Sequence, residues 1–124
     1  MNNIVQKLLE PASYVELDDG SHLPVHALSE LNHIKVLRAY EVDISKVKDD
    51  ADEDDTTNMF IIAEALVKAS YSLCLYCVPG IESLAQAERL ITATGGTKGK
   101  LGNFLLSEAG LLSSDEDDAE ATAE

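Results

Sequence analysis

The stretch that decides the fold is Val47 to Gly80, "VKDDADEDDTTNMFIIAEALVKASYSLCLYCVPG". Six carboxylates fall within seven positions, Asp49 to Asp55, and from Met59 the chain is almost wholly apolar up to Pro79-Gly80. Three readings compete for such a junction: a metal loop, the flank of a membrane span, or a solvated loop that opens a buried helix. A calcium loop of the EF-hand kind needs Asp or Asn at alternating positions, Gly at the sixth and a bidentate Glu at the twelfth. Counting from Asp50, the sixth position is Asp55 and the twelfth is Ile61, so both obligatory positions fail. A membrane span has the length it needs here. Glu64 and Lys68 fall in its interior, however, and each charge would cost roughly 3 kcal/mol at the bilayer centre. In a soluble helix the same two residues form a favourable i,i+4 pair, acid first. The sequence therefore predicts a buried helix of a soluble bundle, Met59 to Val78, with Thr57 or Asn58 as N-cap and Pro79-Gly80 as its stop.

Working outward, "NNIVQKLLEP" is a short amphipathic turn or helix that Pro11 stops. Tyr14–Leu17 and His22–Val25 flank Asp19-Gly20, a strong turn dipeptide, and predict a β-hairpin whose second strand Pro24 confines to an edge. In "ALSELNHIKVLRAYEVDISKV", Leu28, Leu31, Ile34 and Leu37 recur every three residues, and Leu37, Tyr40, Ile44 and Val47 follow at 3, 4, 3. Both series fit one helix face. A further helix is expected over "IESLAQAERLITAT", with Ile81, Leu84, Glu88 and Ile91 at helical spacing and an end at Gly95-Gly96. "GGTKGKLG" follows and reads as a flexible linker. The fold class expected is mainly α: a small helical bundle with one N-terminal β-hairpin, a single domain over residues 1–112 and an acidic tail of disordered composition over 113–124.

The 124 residues carry 9 Lys+Arg against 23 Asp+Glu, a formal charge of −14. Six acids lie in Asp49–Asp55 and six in Ser113–Glu124; setting those twelve of the 23 aside leaves 11 acids against 9 bases. The body is nearly neutral and carries two acidic appendages. A nucleic-acid backbone repels such a chain without a basic patch, and the bases are scattered. "MNNIVQKLLEPAS" has no signal-peptide pattern, and two cysteines suit a reducing cytoplasm.

Little points to catalysis. Cys74 and Cys77 form a C-x-x-C pair, but near a helix end, where the dipole does not lower a thiol pKa. A Cys₂His₂ zinc set can be written with His22 and His26, yet nothing brings the two pairs together, and buried free thiols are the better reading. The Gly/Lys loop misses the phosphate-loop pattern at Thr94 and Leu101. The histidines His22, His26 and His33 are read as solvated or capping. No enzyme, cofactor or metal is expected.

The order of features from Tyr14 to Gly96 resembles the tail assembly chaperones of lambda-type long-tailed bacteriophages. The features are the Asx-Gly hairpin, the helix start Leu28-Ser29-Glu30-Leu31, a polar break, a long Ala-rich helix, and a late helix with Ala87-Glu88 closed by Gly95. The resemblance implies a non-enzymatic protein of the host cytoplasm. Such chaperones coat the helical tape measure protein before the tail tube assembles around it, and many of their genes make a longer product by frameshifting. Implied partners are the tape measure protein, the tail tube protein and further copies of the chain. An acidic DNA mimic or host-enzyme inhibitor is the alternative, and a metal- or redox-responsive regulator is a third reading. The apolar residues Leu101, Phe104, Leu105, Leu111 and Leu112, beyond the Gly/Lys stretch, are expected to bind a partner or a further copy rather than to form core, with docking on the chain's own bundle as the alternative.

Overall fold

The computed structural model describes residues 13–47 and 56–112. The expected N-terminal amphipathic segment, the acidic run and the acidic tail lie outside the described residues. Strands β1 (Ser13–Glu16) and β2 (His22–Val25) form an antiparallel hairpin. Helices α1 (Glu30–Ile44), α2 (Thr57–Cys77) and α3 (Leu84–Ala93) follow, then a 3₁₀ turn (Gly96–Lys98) and α4 (Lys100–Glu108). The chain is mainly helical with one N-terminal hairpin, as its periodicities predict.

The hairpin closes where Asp19-Gly20 places it. Leu17 accepts from the Gly20 N–H at 2.9 Å, and Gly20 has φ +90°, a conformation that glycine adopts without strain. Asp19 Oδ1 accepts from the Ser21 hydroxyl at 2.6 Å and from the Ser21 N–H at 2.9 Å. The Ser21 hydroxyl, followed by its N–H, holds the Asp19 pKa below its ordinary value. Val15 and Val25 are buried, whereas Tyr14, opposite Pro24, is exposed. The end of β2 is fastened to the end of α2 by the His26 N–H, which donates to the Cys77 carbonyl at 2.7 Å.

Helices α1 and α3 each start on a serine cap. Ser29 Oγ accepts from the Asn32 N–H, and Ser83 Oγ accepts from the Gln86 N–H, both at 3.2 Å. Gln86 Oε1 reaches back to accept from the Glu82 N–H at 2.7 Å, a variant of the reciprocal capping box. The cap position of α2 is Thr56, one residue ahead of the expected pair.

Two expectations are corrected here. The first concerns α1. The side it turns inward carries His33, Val36, Leu37, Tyr40 and Ile44, while Leu31 and Ile34 are 62% and 52% exposed. Two apolar stripes run along this helix, and only the second rests on α2. The second correction concerns "GGTKGKLG", which is not a loose linker. It folds into the 3₁₀ turn and the first turn of α4, with the Gly99 N–H donating to Gly96 O at 3.1 Å. A Cβ on Gly99 would overlap the Thr94 carbonyl, and one on Gly102 would overlap the Gly96 carbonyl. These glycines serve close backbone approach, which composition alone does not distinguish from freedom.

The core joins the hairpin, α1 through Val36, the second half of α2, α3 and α4, and includes Val15, Val25, Leu73, Cys74, Cys77, Ala87, Ile91, Leu101, Leu105 and Leu106. Helix α4 ends in a Schellman arrangement, with Leu111 N–H donating to Leu106 O at 2.9 Å and Gly110 N–H to Ser107 O at 3.0 Å.

Candidate docking surface

Helix α2 packs one side against α1. Ala65, Lys68, Ala69 and Ser72 line a groove with Val36, Ala39, Tyr40 and Asp43 of α1. The opposite side has two fates. In its second half it carries Ser70, Leu73, Cys74 and Cys77, all buried under the rest of the fold. Ser70 satisfies its hydroxyl by donating to Val67 O at 2.7 Å. In its first half it carries Met59, Phe60, Ile62 and Ala63, all exposed, with Met59 at 65% and Phe60 at 66%. The expectation of a buried α2 therefore holds for one half of the helix only. The reason is length: α3 and α4 have 10 and 9 residues against the 21 of α2 and cover the half nearer its C-terminus.

Helix α2 is long and apolar enough to cross a membrane by length and composition, with a mean hydropathy of 1.5, and a third of that window is buried. Its two interior charges pair with each other, Lys68 Nζ lying 3.6 Å from Glu64 Oε2 with both side chains largely exposed. At such exposure the pair adds little stability.

The five apolar residues expected to face a partner do not form a free element. Leu101 is fully buried, Leu105 is 2% exposed, and Phe104, Leu111 and Leu112 pack half-buried against the same core. The expectation that this segment is not core is thereby corrected for Leu101 and Leu105. The tight glycine contacts deliver α4 straight onto α2, so these leucines find cover within the chain. Leu106, also fully buried, completes that surface; five residues from Leu101 is not a helical core spacing, so periodicity does not mark it.

The thiols are buried and free. Burial pushes the pKa of Cys77 up to about 11, and burial aided by the neighbouring Cys77 does the same for Cys74. Thiols held protonated are poor nucleophiles and poor metal ligands. No cluster of three His, Cys, Asp or Glu able to hold a metal occurs among the described residues. A cavity of about 250 Å³ is lined in part by His26, His33, Cys77, Phe104 and Glu108. His33 is already engaged, its Nε2 lying 2.9 Å from the Ala109 carbonyl at the end of α4. Nothing in this set pairs a nucleophile with a base. What the described surface does offer is apolar: the first half of α2, and on the far side of α1 the separate stripe of Leu31, Ile34 and Val42.

No protein-family model matches the chain, and no curated protein or solved structure matches it.

Proposed function

We propose that this protein is a tail assembly chaperone of a long-tailed bacteriophage, which binds the tape measure protein and keeps it soluble until the tail tube forms around it. The observation that carries the reading is the uncovered half of α2. Large side chains, Met59, Phe60 and Ile62, stand in solvent on a chain of charge −14. Exposed apolar surface of this kind serves a partner, and strong net charge keeps a complex with an aggregation-prone client dispersed. The resemblance in element order from Tyr14 to Gly96 supplies the identity of that client. Phe104, Leu111 and Leu112 keep part of their surface open and form a second candidate contact.

Co-expression with a tape measure protein of a long-tailed bacteriophage tests the proposal. The client should move from the insoluble to the soluble fraction and co-purify with the chain. A client that stays insoluble while the chain elutes alone overturns the reading.

A further inference from the structure

At about 100° per residue, Met59, Ile62, Ala63 and Leu66 lie on the same side of α2 as Ser70, Leu73 and Cys77, with Phe60 at the edge of that side, next to the line of Cys74. That side is one continuous strip: its second half is covered by other parts of the chain, Leu66 is half-buried at the junction, and Met59, Ile62 and Ala63 are exposed among the described residues. The covered half shows what the strip accepts. Helix α4 packs on α2 and buries Leu101, Leu105 and Leu106, apolar residues at i, i+4 and i+5. The covered half mixes the small Ser70, Cys74 and Cys77 with the large Leu73. Met59, Phe60 and Ile62 are large, and methionine in particular adapts to partners that come and go.

We propose that the bare half of this strip binds one amphipathic helix of another protein, with lysines or arginines flanking its apolar stripe. The proposal rests on the chaperone reading for the client's identity and names its site and its chemistry. Thr57 to Glu64 spans about 12 Å of helix, two turns, which a single helix covers at ordinary packing distance. Charge selects among the occupants. Six carboxylates, Asp49 to Asp55, directly precede α2 in the sequence and draw a helix flanked by basic residues, whereas a second copy or an anionic lipid surface brings like charge.

Three labelled synthetic peptides serve as probes of the full-length chain: an amphipathic Leu/Lys helix, its Leu/Glu counterpart, and a scrambled Leu/Lys peptide without an apolar face. Fluorescence anisotropy at physiological salt should show saturable binding of the first, with the other two weaker by about tenfold or more. Met59→Asp with Phe60→Asp should lower affinity for the Leu/Lys helix by about tenfold or more. These positions are exposed, so circular dichroism should be unchanged. Leu31→Asp with Ile34→Asp, on the far side of α1, should leave the affinity as it was. Equal binding of the scrambled peptide would reduce the effect to charge attraction and overturn the proposal. Unchanged affinity in the Met59/Phe60 variant would do the same. A dimer of the free chain that this variant dissociates would make a second copy the occupant. Binding to phosphatidylcholine vesicles that it abolishes would make the occupant a membrane. Either result overturns the proposal. If the variant still solubilises the tape measure protein, this site fails and the chaperone reading stands. If the wild-type chain binds the peptide but never solubilises that client, the site stands and the reading fails.

Discussion

His33 and Ala109, 76 positions apart, are joined by a 2.9 Å contact between Nε2 of the ring and the backbone carbonyl that follows α4. The ring nitrogen donates to a carbonyl left over at a helix end, so α1 helps to cap α4. His33→Ala should lower stability by about 1 kcal/mol, the ordinary net worth of one such hydrogen bond. Urea denaturation would show it as a lower midpoint with an unchanged slope.

Leu73 and Leu66 share one side of α2 but not one environment. Leu73 is 1% exposed, and Leu66 is only half-buried against the core. Leu73→Ala should cost roughly 2–5 kcal/mol. Leu66→Ala should cost clearly less, since part of its side chain already meets water. Equal losses in calorimetry would mean that the bare half of α2 is covered in solution.

The glycine contacts between the 3₁₀ turn and α4 make a sharper case. Gly102→Ala puts a methyl where the Gly96 carbonyl lies, and backbone cannot yield as a side-chain tip can. A loss of roughly 1–3 kcal/mol is expected, although alanine favours helix elsewhere. A rise in melting temperature would contradict the close approach.

The cysteines yield a pH prediction with a definite sign. Both thiols have folded pKa values raised to about 11 from an ordinary 9.0. The folded state thus favours the neutral form. Its contribution to stability is complete below about pH 9 and is lost as pH rises toward 11. Alkylation of native protein at pH 8 should be slow and should accelerate on unfolding. Rapid labelling of folded protein would contradict the burial of Cys74 and Cys77.

The hairpin, the helix order and the stops at Pro79-Gly80 and Gly95 were legible because turn chemistry is local: Asp19, Gly20 and Gly95 act through their own backbone. Leu31 and Ile34 were misread because helical spacing reports that a face is apolar, not which face meets a neighbour. The same limit hid the split in α2, since Met59 and Leu73 look alike until the lengths of α3 and α4 are laid beside them. Leu101 and Leu105 were assigned to a partner because Gly99 and Gly102 read as freedom, whereas in the fold they are the spots where backbones touch.

The uneven cover of α2 gives one helix two local stabilities. From Leu73 to Cys77 its amides open only when the core comes apart. From Met59 to Ala63 they are held, among the described residues, by helix hydrogen bonds and by α1, and that end can fray without disturbing the rest. Native-state hydrogen exchange should therefore fall steeply along a single 21-residue element. A helix seated on the open end would slow exchange there first, turning that gradient into a direct readout of occupancy.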